Sequence, residues 1–454
     1  MQEFLKKYRN IFFVGIGGIS MSGLAILLKK SGKKVSGSDL AKSDGTKRLK
    51  EQGVKVFIGH KSRHIKGCDL LVFSGAIKED NPELLEAKKS NIPTIERSLL
   101  LRYVSDDYKN VIAVSGTHGK TTTTAMIAYI FSLAGLNPTV HLGGMFEKIN
   151  GNVLIGEKDF FITEACEFRD SFLTLSPDVS IITNFEEEHL DYFKTFNKEI
   201  DSFLNFSINS KDTCFANVSC KKYLGEQEKL IYVGEKTGYH IENLNKDISK
   251  KYSFDVFLGE KYVDNFSLNV YGEYNTQNAL MAICVALHYK IDKKTIKNAL
   301  STFENVHRRF EKVGIYEGNI VLRDYAHHPT EIMQSIKTCK EVFDKKIICI
   351  FQPHTFSRTR SLIDKFTTCF DGVDKLFLVK TYSARESFDY VGSATFLRDK
   401  IEEKKPQFEV RGDFSNRRTL TLIKKSKFKN CVLLFLGAGN VEEISRKLCK
   451  KNNN

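Results

Sequence analysis

Residues 111–124, VIAVSGTHGKTTTT, constrain this chain more than any other stretch. Val111 to Val114 form a short apolar run of strand length, rich in β-branched residues. Gly116 and Gly119 break that pattern. From Lys120 the period changes, with Met126, Ile127, Ile130, Leu133 and Ala134 recurring at helical spacing until Gly135-Leu-Asn-Pro138 stops the helix. Strand, glycine loop, Lys-Thr and helix make a phosphate cradle, because glycines let backbone N–H groups approach an anion and the helix start adds its positive dipole end. The expected contacts are Gly116, Thr117, His118, Gly119 and Thr122, with Lys120 as a point charge on the β- and γ-phosphates and the Thr121 hydroxyl on Mg²⁺. A Walker A loop has a glycine where Val114 stands, so this loop is two residues shorter.

At 454 residues the chain has room for two to four domains. No apolar run reaches the roughly 18 residues of a membrane span, and MQEFLKKYRN does not read as a signal peptide. Ten cysteines without a CxxC pair favour free thiols in a reducing cytoplasm over disulfides or a zinc site. The net charge of +14 suits polyanionic small molecules or Lys-rich solvated faces; no nucleic-acid signature accompanies it.

In chain order, a strand at Ile11–Val14 precedes Gly15-Ile-Gly17-Gly18-Ile-Ser20-Met-Ser22, then a helix to about Gly32 and a strand ending at Asp39. This resembles a dinucleotide fingerprint, but Ser20 replaces its third glycine, so it predicts a diphosphate at a helix start without saying whose. Strands are expected at Val54–Ile58 and Leu70–Phe73, the latter ending at Ser74, with a helix opening at Asn81-Pro82-Glu83. Val104–Asn110 reads as a linker. Phe160–Thr163 ends in Glu164, a carboxylate well placed for Mg²⁺, with Glu167 close by. Val179–Thr183 leads into Asn184-Phe-Glu-Glu-Glu-His189, where acids and a histidine at a strand exit suggest a second cation site or a solvated charge run. Asn275 and Asn278 share one helical face, as adenine readers or as caps. Four later strands, at Asn319–Arg323, Ile347–Phe351, Leu376–Val379 and Val432–Leu436, predict another open parallel sheet with polar residues at the strand ends.

The motifs GIGGISMSGLA, GTHGKTTT, EACEFRDSF, NFEEEHLDY, GEYNTQNAL, HRRFE, DYAHHPTEI, FQPHTFSRT and GAGN together resemble the ATP-dependent Mur ligases of bacterial cell-wall synthesis, from about Phe13 to Asn440. The resemblance implies an α/β chain of three domains: a Rossmann-like UDP-sugar domain (1–106), a central P-loop ATPase domain (107–313) and a C-terminal Rossmann-like domain (314–454) that binds amino acid and part of ATP. It implies that Gly15, Gly17, Gly18, Ser20, Ser22, Asp39 and Ser74 hold the uridine diphosphate. Thr121, Glu164 and His189 match metal positions, Asn275 and Asn278 the adenine site, and Arg309 and Asp324 further nucleotide contacts. His327, His354 and Arg358 would face the amino acid and the reacting carboxylate. The implied activity joins L-alanine to the lactyl carboxylate of UDP-N-acetylmuramate through an acyl phosphate, with ATP as co-substrate and Mg²⁺ as cofactor, in a cytoplasmic monomer or homodimer. Three alternatives stay open: a wall-recycling ligase that adds a preformed peptide to the same sugar nucleotide, an NAD(P)-dependent oxidoreductase built on the first glycine loop, and a non-catalytic nucleotide switch. Some positions depart from the family pattern. Glu188 precedes His189 where many relatives have Asp, Cys166 replaces an acid, Tyr274 replaces the histidine before Asn275, and Thr355 stands where some relatives have Arg.

Overall fold

The computed structural model describes residues 3–384 and 386–449. The first sheet is all parallel. Its strands are β1 (Asn10–Val14), β2 (Lys34–Asp39), β3 (Lys55–Ile58), β4 (Leu70–Phe73) and β5 (Thr94–Glu96), in the order β3-β2-β1-β4-β5. The order reverses direction between β1 and β4, which opens a crevice at Gly15 and Ser74. The helix Ile19–Lys30 packs over this sheet and also presses on the next domain. Gly23 lets it approach, since a Cβ there would meet Val153, Asn152 and His141 at 2.8–2.9 Å.

The second sheet holds β6 (Asn110–Ser115), β7 (Thr139–Phe146), β8 (Gly151–Leu154), β9 (Phe160–Glu164), β10 (Val179–Ile182), β11 (Thr213–Asn217) and β12 (Leu230–Val233). Its order is β12-β11-β10-β6-β9-β7-β8, parallel except for β8. The cradle strand β6 is thus flanked by β9 and β10, which carry Glu164 and the Asn184–His189 segment at their exits. An antiparallel three-stranded sheet follows, β13 (Tyr239–Lys246), β14 (Tyr252–Leu258) and β15 (Lys261–Ser267).

The last sheet has six strands rather than four: β16 (Glu311–Tyr316), β17 (Asn319–Asp324), β18 (Lys346–Phe351), β19 (Lys375–Val379), β20 (Val410–Phe414) and β21 (Cys431–Leu436). The order is β16-β17-β21-β18-β19-β20, with β16 an antiparallel edge. The two extra strands escape the apolar-run criterion because they are edges. β20 reads VRGDF, and β16 is only half-buried.

Val104–Asn110 is not simply a linker. The helix Arg97–Ser105 runs through its first two residues, because Leu100, Leu101 and Val104 bury one face of that helix while the polar residues that suggested a linker lie just beyond it. Those three side chains belong to a core that runs without a break from the first sheet into the second, through Val111, Phe161, Phe172 and Phe203. The third domain has two cores of its own, and Phe310 and Tyr271 of the preceding segment pack into one of them. Among the described residues no helix is long and apolar enough to cross a membrane.

Candidate active site

Gly119 caps the helix Lys120–Leu133 in the left-handed region, with φ 83°. A Cβ there would collide with the Asn278 side chain. Residues after β10 brace the loop. Thr117 N–H donates to Asn184 O at 3.0 Å, His118 N–H to Asn184 Oδ1 at 3.0 Å, and Glu186 N–H to Thr117 Oγ1 at 2.9 Å. Lys120 Nζ lies in the loop mouth, bonded to Gly116 O, to Thr117 O at 3.2 Å and to Glu167 Oε1 at 3.0 Å. Burial opposes its charge, but the Glu167 carboxylate, with Cys166 and Glu188, outweighs burial and raises the lysine above its ordinary value. A polyphosphate entering the loop would find this cation held by one carboxylate and two carbonyls.

Two carboxylate clusters flank Lys120. In the first, Glu164 Oε2 accepts from Thr121 Oγ1 at 3.0 Å and Oε1 from Gly143 N–H at 2.5 Å, while Arg309 Nη2 donates to Thr121 Oγ1 at 3.3 Å. Burial pushes the Glu164 carboxyl up. In the second, donor atoms of Glu167, Glu188 and His189 lie within 4.8 Å of one another. His189 Nε2 is 3.8 Å from Glu167 and 3.9 Å from Glu188. The trio Thr121, Glu164 and His189 is therefore divided between the two clusters, and Glu167 and Glu188 enter the second. Glu167 Oε2 is buried without a partner, a vacancy in its hydrogen bonding that a cation would fill. Glu199, fully buried beneath this cluster, accepts from Glu188 N–H at 3.1 Å, and burial raises its carboxyl to about 8.

The third domain supplies the opposite wall. Arg358 Nε and Nη2 both reach Glu188 Oε1 at 2.6 Å, and Nη1 bonds His354 Nδ1 at 3.1 Å. Burial opposes the Glu188 charge, but Arg358 with His189, His327 and His328 together outweighs it and holds the carboxyl well below its ordinary value. Burial, helped by His327 and Arg358, lowers His354 to about 3, so its ring is neutral and stacks on Tyr382 at 5.5 Å. His327 lies edge-on to it at 5.7 Å. In this arrangement Glu188 already occupies the guanidinium expected to face an amino acid. Thr355 holds a positive φ of 65°, rare for a β-branched residue, where the chain turns from β18 into this wall.

Between the two walls lies a cavity of about 290 Å³, lined by His118, Thr122, Asn275, Asn278, Arg309 and Asp324 among others. Asn275 and Asn278 sit inside the helix Tyr274–His288 rather than capping it. Asn278 Nδ2 donates to Asn275 Oδ1 at 3.0 Å, and Asn275 Nδ2 donates to Tyr271 O at 2.7 Å. Asp324 accepts from Ser335 Oγ at 2.8 Å, and burial raises its carboxyl.

The first domain's glycine loop lies apart from these groups. Gly17 N–H donates to Asp39 Oδ2 at 2.8 Å, so Asp39 fixes the loop. Ser20 Oγ meets His141 Nε2 of the second domain at 3.2 Å, and Arg97 donates to it at 3.3 Å. Ser22 is buried and its hydroxyl bonds Ile19 O at 2.9 Å, within its own helix. Ser74 Oγ accepts from Ala76 N–H at 3.4 Å.

The loop braces, His141 and Glu199 were missed from sequence. Only the short spacing from β10 to Asn184 hinted at the first of them.

A glycine-loop domain, a phosphate-cradle domain and a third domain that brings His327, His354 and Arg358 to their seam define a Mur ligase, and family profiles agree. The Mur ligase family catalytic domain matches residues 10–109, the Mur ligase middle domain 114–286, and the Mur ligase glutamate ligase domain 308–439. The chain belongs to the Mur ligase family. It is 37% identical to the UDP-N-acetylmuramate–L-alanine ligase of Caldanaerobacter subterraneus subsp. tengcongensis, covering 100% of both chains. It is 40% identical to that of Clostridium tetani, covering 97% of both. The solved UDP-N-acetylmuramate–alanine ligase of Thermotoga maritima superposes with a TM-score of 0.84 at 29% identity, over 97% of this chain and 98% of that one. A murein peptide ligase from Psychrobacter arcticus shares the fold, with a TM-score of 0.76 at 22% identity and coverage of 97% and 98%.

Proposed function

We propose that this chain joins L-alanine to the lactyl carboxylate of UDP-N-acetylmuramate, converting ATP to ADP and phosphate, in peptidoglycan precursor synthesis. The observation that carries the reading is the meeting of cradle and third domain across one cavity, in a chain matched end to end by alanine ligases. The domains expected at 1–106, 107–313 and 314–454 would serve sugar nucleotide, ATP and amino acid, with the last boundary moved to Glu311, where β16 opens the third-domain sheet.

A carboxylate is a poor electrophile and must be activated. Its oxygen attacks the γ-phosphorus, giving an acyl phosphate and ADP; the alanine amine then attacks the acyl carbon and phosphate leaves. Two anions must meet in the first step, and Lys120 with the Gly116–Thr121 amides offsets their repulsion. Mg²⁺ fits the carboxylate clusters: Thr121 and Glu164 would hold one ion, and His189 with Glu167 a second. The ion supplies charge neutralisation and alignment of the phosphates. The alanine ammonium must lose its proton before its nitrogen can attack; His354, neutral, a weak base and bonded to Arg358, would line the amino-acid site with His327 beside it. Asn275 and Asn278 would face adenine, and Arg309 and Asp324 the rest of the nucleotide. Gly15, Gly17, Gly18, Ser20 and Ser74 would hold the uridine diphosphate, with Asp39 shaping their loop. Arg358 would exchange Glu188 for the alanine carboxylate as substrates enter. A cytoplasmic setting, as monomer or homodimer, suits these substrates.

The test is a ligase assay with UDP-N-acetylmuramate, ATP and a panel of amino acids and a tripeptide, using ¹⁸O in the lactyl carboxylate. Alanine-dependent amide formation with label in the released phosphate is expected. Preference for the tripeptide would move the chain to the recycling activity, and unlabelled phosphate would exclude the acyl phosphate.

A further inference from the structure

His118, Glu186 and His328 form a third polyfunctional cluster, away from both carboxylate clusters beside Lys120. His118 belongs to the cradle loop, Glu186 to the segment after β10, and His328 to the third domain, where it caps the helix Pro329–Val342. Their donor atoms lie within 4.8 Å of one another. His118 Nε2 is 3.7 Å from Glu186 Oε1, and His328 Nδ1 is 3.9 Å from Glu186 Oε2. Around a tetrahedral ion with bonds of about 2.1 Å, ligand atoms sit about 3.4 Å apart, so the three groups, now with one Glu186 oxygen toward each imidazole, would draw together on an ion.

The hydrogen bonding of the cluster is incomplete. Nε2 of His118 and Nε2 of His328 are both buried without a partner. His328 Nδ1, the nitrogen nearest Glu186, accepts a 3.3 Å bond from Thr330 N–H, so an ion bound at Nδ1 would displace that bond. The other nitrogen of His118, Nδ1, faces Glu331 Oε1 at 3.2 Å. A carboxylate on the far nitrogen of an imidazole is the arrangement that orients a metal-bound histidine and raises its basicity. Glu186 Oε2 is meanwhile steadied by Thr330 Oγ1 at 2.8 Å. Buried imidazole nitrogens left unpaired are costly unless something occupies them.

We propose that His118, Glu186 and His328 form a binding site for a borderline divalent cation of the zinc class, bridging the nucleotide cradle and the third domain. Two imidazoles and one carboxylate select Zn²⁺ or Co²⁺ over Mg²⁺, which prefers all-oxygen octahedral coordination. Three protein ligands leave a fourth position open to water or a phosphate oxygen. Because the ligands come from both sides of the seam, the ion holds the two domains together. The site is independent of which amino acid is joined, since none of the three residues was assigned to the amino acid.

The test uses the full chain, stripped with chelator and titrated with Co²⁺ without nucleotide. Visible d–d absorption saturating at one equivalent, displaced by Zn²⁺ and not by Mg²⁺, is expected, together with a rise in melting temperature. Glu186→Gln, at a half-exposed position that tolerates the change, and His328→Gln should each weaken binding at least about tenfold, and Glu331→Gln by roughly tenfold through the His118 imidazole. His189→Ala should leave the bands in place. Circular dichroism establishes folding of each variant. Absence of binding at about 100 μM Co²⁺ overturns the proposal. So do bands that survive Glu186→Gln but vanish in His189→Ala, which would place the ion among Glu167, Glu188 and His189.

Discussion

The two boundaries between domains are built from different materials. The first and second domains share one apolar core, in which Leu100, Leu101 and Val104 meet Phe172 and Phe203. The second and third meet across His118–Glu331, Thr330–Glu186 and Arg358–Glu188, at 3.2, 2.8 and 2.6 Å, around a cavity of about 290 Å³. Apolar contact is lost wholesale when surfaces part, whereas ion pairs can be exchanged for ligand or water at lower cost. The apolar joint therefore fixes the first domain on the cradle, and under the proposed function the polar seam is the boundary that would open for substrates and close before chemistry.

The comparison breaks most severely at the cradle. Lys120→Ala should reduce ligation by about a thousandfold or more in a chain that still folds, since its amine faces the loop mouth rather than an apolar core. Steady-state turnover and a melting curve measured together check this; near-normal turnover would remove Lys120 from phosphate binding.

The joint should respond in the opposite sense. Leu100→Ala removes a fully buried side chain from the shared core and should cost about 2–5 kcal/mol of stability, with the KM for ATP unchanged in the folded fraction. A loss under about 1 kcal/mol, read by urea unfolding, would mean that the two domains do not depend on this contact.

The carboxylate clusters sharpen the comparison within the seam. Glu164→Ala and His189→Ala should each raise the Mg²⁺ concentration for half-maximal rate, and slow phosphoryl transfer by roughly 10- to 100-fold. An unchanged Mg²⁺ dependence in His189→Ala would leave Glu167 and Glu188 as a purely structural pair for Lys120 and Arg358.

What the sequence conveys follows from whether a feature is local. The cradle was legible because its glycines, Lys120 and Thr121 lie within six consecutive residues, and Glu164 because strand exits are readable from the strand before them. The family motifs extended this to Arg309, Asp324 and the third-domain histidines. The Arg358–Glu188 pair was not legible, since its members are 170 residues apart and neither disturbs a local period. His141 against Ser20 escaped for the same reason, at a separation of 121. The edge strands β16 and β20 were lost because edges need no continuous apolar run.

Glu199 tests how far the seam's charges are felt beneath it. Its carboxyl is fully buried, accepts only Glu188 N–H at 3.1 Å, and leaves Oε1 unpaired. Burial first, then the carboxylates of Glu167, Glu188 and Glu187, raise it from 4.5 to about 8. The folded chain thus binds a proton here that the unfolded chain gives up near its ordinary value. The stabilisation is fully present below about pH 4.5 and is lost progressively as pH rises toward 8. Glu199→Gln keeps the acceptor and removes the titration. It should melt a few degrees higher than the native chain at pH 8, differ little at pH 5, and flatten the fall in melting temperature between them. Parallel melting profiles for the two proteins from pH 5 to 8 would show that Glu199 is already ionised, and that the polar seam tolerates a second buried carboxylate under Glu188 without a proton.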